Sequence, residues 1–175
     1  MGPDSCGLEL AYALSDLPAL HAVVRQQPFR EDHTVPQPLT PAPLPCHNHA
    51  APLVRTCFSD ERSWQTLLVR VGTPSEDDFL ANVDVVDDVA YADCSPERIA
   101  GLTPPEKQLV VIADEHALSA PGNPLLVVRT GSARHAELRV VTSQLWSIEN
   151  NLTWANMDWD EFVAAADEDG VFRGF

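Results

Sequence analysis

The sequence is 175 residues long, which argues for one domain with an appendage rather than two domains, and its 45% apolar content excludes a wholly disordered chain. With 26 acidic residues against 11 basic ones the formal charge is −15, a field that repels nucleic-acid phosphates and anionic lipid and so argues against both as partners. No apolar run approaches the roughly 20 residues that span a bilayer.

The first 51 residues read as an appendage. Residues 7–25 carry Leu8, Ala11, Leu14, Leu17, Leu20, Val23 and Val24 near a helical period, and Pro18 breaks them into two short helices, the second capped by Asp16. Seven prolines follow between Pro28 and Pro52, the composition of an extended, semi-rigid linker without a core of its own. Residues 1–51 are thus a helical segment plus linker, either docking on the domain or serving as a partner-binding arm. The N-terminus has no basic region ahead of an unbroken apolar core, since Asp4, Glu9 and Asp16 interrupt it. The four cysteines form no CxxC pair, so the expectation is a cytoplasmic protein with free thiols. On that reading the Asn151-Leu152-Thr153 glycosylation triplet is a chance match.

The domain is expected over residues 52–175. Leu53–Phe58 reads as a strand, and Ser59, Glu61 and Arg62 open a helix through Trp64, Leu67, Leu68 and Val71 that Gly72-Thr73-Pro74 stops. A strand is expected at Ala81–Val86. Ser95-Pro96-Glu97 then combines a cap, a proline suited to the first turn and a carboxylate at the positive end of the dipole, and its helix stops at Gly101 and Pro104. Leu109–Ala113 is apolar throughout and reads as a central strand buried on both faces. Leu125–Thr130 and Ala136–Val141 read as a hairpin joined by residues 131–134. Thr142 or Ser143 opens one helix with Leu145, Trp146, Ile148 and Glu149; Asp158 caps another with Trp159, Phe162, Val163 and Ala166, stopped by Gly170. The order β-α-β-α-β-β-β-α-α points to an α/β fold, with α+β as the alternative. It predicts a three-layer mixed sheet of about five strands, parallel first and antiparallel later, flanked by helices.

Four groups of residues carry chemistry. Asp114, Glu115 and His116 follow the central strand, where open α/β sheets bind ligands, and a carboxylate beside an imidazole suits proton transfer; a strand-end Asp is also a common turn or cap. Cys46, His47, His49 and Cys57 fall within twelve residues and are all zinc-ligand types, but their spacing matches no finger or knuckle. Glu149, Asn150, Asn151 and Asn156 lie among Trp146, Trp154 and Trp159. Together these suit an aromatic-walled pocket with amides to orient a polar ligand, or else helix ends and core. Arg173, between Phe172 and Phe175, can pair with Glu149 or with an acidic ligand. The fourth group is acidic: the stretch from Glu76 to Asp93, including Asp84, Asp87 and Asp88, contains no Lys or Arg, and a second run spans Asp158 to Asp169. Such runs are solvated faces or surfaces that steer a basic partner. Neither contains an EF-hand pattern, and with no glycine-rich phosphate loop or GxSxG elbow no cofactor is expected.

The C-terminal stretches Ser143–Leu152 (SQLWSIENNL), Ala155–Trp159 (ANMDW) and Asp169–Phe175 (DGVFRGF), with the strand ending at Asp114, resemble an actinobacterial domain-of-unknown-function family over about residues 52–175. The resemblance implies an origin and a domain boundary, and brings no catalytic residues. Two functions are therefore expected on the residues themselves. One is a small acidic protein that binds, neutralises or assists a basic protein partner through Asp84, Asp87 and Asp88. The alternative is a cofactor-independent tailoring or cyclising enzyme acting on a small molecule. Its expected proton movers are Glu149, Asp114 and His116, with Trp146, Asn150, Asn151, Trp154, Asn156 and Arg173 around the ligand.

Overall fold

The structure, a computed structural model, describes residues 41–45, 49–131 and 136–175. The helical part of the expected arm lies outside the described residues. Six strands form one mixed sheet in the order β2-β1-β3-β4-β5-β6. They are β1 (Ala51–Arg55), β2 (Val83–Val86), β3 (Leu109–Ala113), β4 (Leu125–Arg129), β5 (Ala136–Val140) and β6 (Val171–Phe172). Strands β2, β1 and β3 run parallel; β3, β4 and β5 are antiparallel; β6 lies parallel to β5. Every residue of β1 and β3 is buried, as expected for strands covered on both faces.

The alternation of side chains along β3 shows how the two faces are filled. Leu109, Val111 and Ala113 join a large apolar cluster with helix α1 (Glu61–Val71), α3 (Glu115–Ser119), α4 (Leu145–Thr153) and α5 (Trp159–Ala164). Val110 and Ile112 join a smaller cluster with Tyr91 and with Ile99 and Ala100 of α2 (Pro96–Leu102). Consequently α1, which links β1 to β2, and α2, which links β2 to β3, cover opposite faces. The winding direction of the sheet reverses between β1 and β3.

Capping chemistry sets the helix starts. Asp60, one residue later than expected, caps α1 by accepting from the Ser63 N–H at 3.0 Å. Ser95 accepts from the Arg98 N–H at 3.3 Å to cap α2, with Pro96 in its first turn. Helix α5 begins with a capping box, in which Asp158 and Glu161 satisfy each other's backbone N–H groups.

Three expectations change. The sheet has six strands, not about five, because β6 is made by pairing Val171 and Phe172 with Arg139 and Val140. Helix α5 ends at Ala164, well before Gly170; that glycine, at φ +76°, instead turns the chain into β6. The proline-rich segment is also less separate from the domain than its composition suggests. Pro41 and Leu44 are buried, Leu44 packs in the smaller cluster, and its N–H donates to the Leu102 carbonyl at 2.9 Å. The Tyr91 hydroxyl donates to the Ala42 carbonyl at 3.1 Å. These prolines suit a segment that covers a sheet face without joining the sheet, since they offer no N–H to a ladder.

Candidate functional site

The reversal of winding places a crevice beyond the carboxyl ends of β1 and β3, a cavity of about 310 Å3 lined by Thr56 and Cys57, Asp93 and Cys94, and Asp114 and Glu115, among others. Asp114 is firmly held there. Its carboxylate caps α3 through the Ala117 N–H at 3.0 Å and receives both Arg139 nitrogens, one at 2.8 Å. Burial pushes this carboxyl up, but the Arg139 hydrogen bonds, the Ala117 N–H and the guanidinium charge outweigh it and hold the group below the usual carboxylate value. His116 lies exposed on α3, and Glu115 is exposed beside it. The cap reading of Asp114 therefore describes what its oxygens do in this structure.

The C-terminal group is dispersed rather than gathered into a pocket. Glu149 is buried in the main core at 1% exposure, where one carboxylate oxygen accepts from the Asn82 N–H and the other from the Thr153 hydroxyl, each at 3.0 Å. Burial pushes its carboxyl up, and the two hydrogen bonds only partly offset this. Asn150 and Asn151 are half-buried, and the Asn151 amide donates to the Ser147 carbonyl. Trp154 is 75% exposed and Asn156 is exposed, whereas Trp159 is buried in the core. Arg173 pairs with Asp167 at 2.7 Å and in bidentate fashion with Asp169, at 2.8 and 2.9 Å, rather than with Glu149. Its hydrogen bonds draw the Asp169 carboxyl down to about 2.

Trp146 instead belongs to a surface that begins in the acidic stretch. Its ring stacks on Phe79 with centroids 4.7 Å apart and planes 10° from parallel. Its indole N–H is buried without a hydrogen-bond partner among the described residues. Phe79 remains 48% exposed. It ends a tight loop organised by Ser75, whose hydroxyl accepts from the Asp77 and Phe79 N–H groups at 3.3 and 3.1 Å while its N–H donates to the Phe79 carbonyl at 2.8 Å. Asp78 adopts φ +61°, which Asp tolerates better than most residues, and Glu76, Asp77 and Asp78 all face solvent. The loop leads into β2, whose outer edge has no strand partner among the described residues. Along that edge Leu80, Val85 and Val89 are 46%, 48% and 57% exposed.

The three acidic residues of β2 and its end have different roles. Asp88 caps the short 3₁₀ turn Val89–Tyr91 through the Ala90 N–H at 2.8 Å and remains exposed. Asp84 is half-buried. Asp87 is engaged from within the fold: Trp64 donates its indole N–H to it at 2.9 Å, and Arg55 approaches at 3.3 Å. Arg55 is itself buried, bonded to Glu61 at 2.8 Å and to the Cys57 carbonyl at 3.0 Å, with its guanidinium over the Phe58 ring at 4.4 Å. Sequence spacing does not connect Arg55 with Asp87, 32 positions apart; parallel pairing of β1 with β2 does. Ser75 and Phe79 likewise carry no motif of their own in the sequence. The available signal was the Pro-Ser pair ahead of the acidic run, a turn signature.

Of the zinc-type residues, Cys46 and His47 lie outside the described residues, His49 is exposed and Cys57 half-buried. Among the described residues no group of three or more His, Cys, Asp or Glu side chains is placed to hold a metal ion. No helix among them is long and apolar enough to cross a membrane. A family model described as a domain of unknown function (DUF6924) matches residues 50–175, which agrees with the resemblance carried by the C-terminal motifs. No curated protein matches the chain.

Proposed function

The chain belongs to the DUF6924 family, and on that premise, which brings a domain and no activity, we propose that the protein is an acidic interaction module that takes a basic protein partner along the edge of β2. The observation that carries this reading is the ordered acidic loop running into a partly apolar strand edge that has no strand partner among the described residues. Exposed carboxylates at Glu76, Asp77, Asp78 and Asp88 supply long-range attraction. Phe79, braced against Trp146, supplies a rigid aromatic anchor at small entropic cost. The outer N–H and C=O groups of β2 can extend the sheet into a partner strand. The carboxylates of the acidic loop face solvent, where a partner can meet them.

Capture from a lysate of the source cells, at about 50 mM and then about 500 mM salt, tests the proposal, because screening shortens the reach of exposed charges. The expected result is a basic protein that binds at low salt, is lost at high salt, and is lost at low salt from both an Asp77→Asn/Asp78→Asn variant and a Val85→Lys variant. Asp87 is left intact in these variants because Arg55 and Trp64 depend on it. Retention of every captured protein by both variants would remove this edge as the site.

A second reading, a cofactor-independent enzyme acting on a small molecule, is favoured by the crevice between β1 and β3. It places Asp114, Glu115 and the nearby His116 by the ligand and leaves Glu149 out of reach in the core. Unchanged turnover of a candidate substrate by an Asp114→Asn variant would oppose that assignment.

A further inference from the structure

The crevice between β1 and β3 contains a feature that the interaction surface does not use: two cysteines from different chain segments line the same cavity. Cys57 follows β1 on the way to α1, and Cys94 precedes α2, so the two thiols belong to crossovers that cover opposite faces of the sheet. The segments are tied to each other. The Asp93 N–H donates to the Thr56 carbonyl at 2.9 Å, which sets Cys57 alongside Asp93 and leaves Cys94 one residue further on. A disulfide asks for a Cα separation of about 4.4–6.8 Å and for Cβ vectors that do not point apart. Cys57 packs against the larger apolar cluster and Cys94 against the smaller one, so the bond also needs both side chains to turn into the cavity they share. Both cysteines are free and both are half-buried, accessible from the cavity without being spread on the open surface.

We propose that Cys57 and Cys94 form a reversible dithiol–disulfide couple that closes this crevice, with small disulfides of the glutathione class as the exchanging ligand. Cys57 is the attacking group, since its sulfur lies 3.1 Å from the Ser59 hydroxyl, which can donate to a thiolate. Asp93, Asp114 and Glu115 oppose a negative sulfur here, but the Asp114 charge is already matched by Arg139. The exchange balances without any further reactant. The Cys57 thiolate attacks one sulfur of glutathione disulfide and releases a glutathione thiolate. The Cys94 thiolate then attacks the Cys57 sulfur of the mixed disulfide and releases the second glutathione. The two protein thiols lose two electrons and two protons, and both pass to the two glutathione molecules. The product ties the β1–α1 connection to the start of α2 across the mouth of the cavity, while the β2 edge, on other residues, keeps its chemistry.

Equilibration of the full chain in glutathione buffers of graded potential, followed by alkylation and peptide mapping, tests the couple. The expected product is a Cys57–Cys94 cross-linked peptide pair that rises and falls reversibly with the buffer. In a Cys94→Ser variant the expected product is Cys57 carrying glutathione. Alkylation of both cysteines at every potential overturns the proposal, as does pairing of either one with Cys6 or Cys46 in place of the other. Preferential glutathionylation of Cys94 in the wild-type chain reverses the assigned roles and overturns Cys57 as the attacking group.

Discussion

Glu149 and Asp114 are two carboxylic acids placed in opposite electrostatic situations. Glu149 is buried, and its two neutral donors only partly offset the loss of solvation, so its folded-state pKa is raised. Its contribution to stability is then present below the unfolded value and lost as pH rises through the folded value. Asp114 is buried in part but paired with Arg139, and its pKa is lowered. Its contribution is present above the unfolded value and lost as pH falls through the folded one. Urea unfolding of the wild type against a Glu149→Gln variant should therefore show the wild type losing ground from pH 4 to pH 7. Against an Asp114→Asn variant the wild type should gain ground from about pH 2 to pH 5. Differences independent of pH in both comparisons would mean that neither carboxyl changes its proton affinity on folding. The Gln variant retains only one acceptor for the Asn82 N–H and Thr153 hydroxyl, so a constant offset is expected beneath the pH-dependent part.

At the scale of elements, the C-terminal strand depends on one side chain more than on its two ladder positions. Phe172 is fully buried and meets Phe162 edge-on at 5.3 Å, whereas Phe175 touches the same rings from outside at 74% exposure. A Phe172→Ala variant is expected to lose about 3 kcal/mol or more of stability, and a Phe175→Ala variant less than about 1 kcal/mol, as read from denaturation midpoints. Equal losses would mean that the terminal ring is held more firmly than its exposure indicates. The helices α1, α2 and α5 were legible because each begins with a side chain able to accept a backbone N–H: Asp60 one residue from its expected place, Ser95 and Asp158. The helix α3 and strand β6, five and two residues long, were not, because neither is long enough to show a period of its own. Residue Val171 reads as part of a tail until β5 is beside it.

For the whole molecule the charge of −15 is a net self-repulsion that salt relieves. Raising salt from about 10 to about 200 mM is expected to raise the melting temperature by about 2–4 °C, which calorimetry would register. A fall would mean that the ion pairs of Arg55, Arg139 and Arg173, which salt weakens, outweigh the repulsion. The sequence by itself determined the α/β class, the central position of Leu109–Ala113, the parallel-then-antiparallel order and the acidic character of the surface. These follow from hydrophobic period, caps and composition, which are properties of neighbours along the chain. Tertiary structure alone decided that Asp87 meets Arg55 and Trp64, that Phe79 stacks on Trp146, that Arg173 turns to Asp169 instead of Glu149, and that Cys57 and Cys94 share a crevice. Most of those pairings join residues far apart in sequence, where the partner is chosen by strand register and by which face of the sheet each crossover covers. For Arg173, which has acidic neighbours in sequence, burial of Glu149 in the core settles the choice. Such choices are settled only when the whole core packs at once.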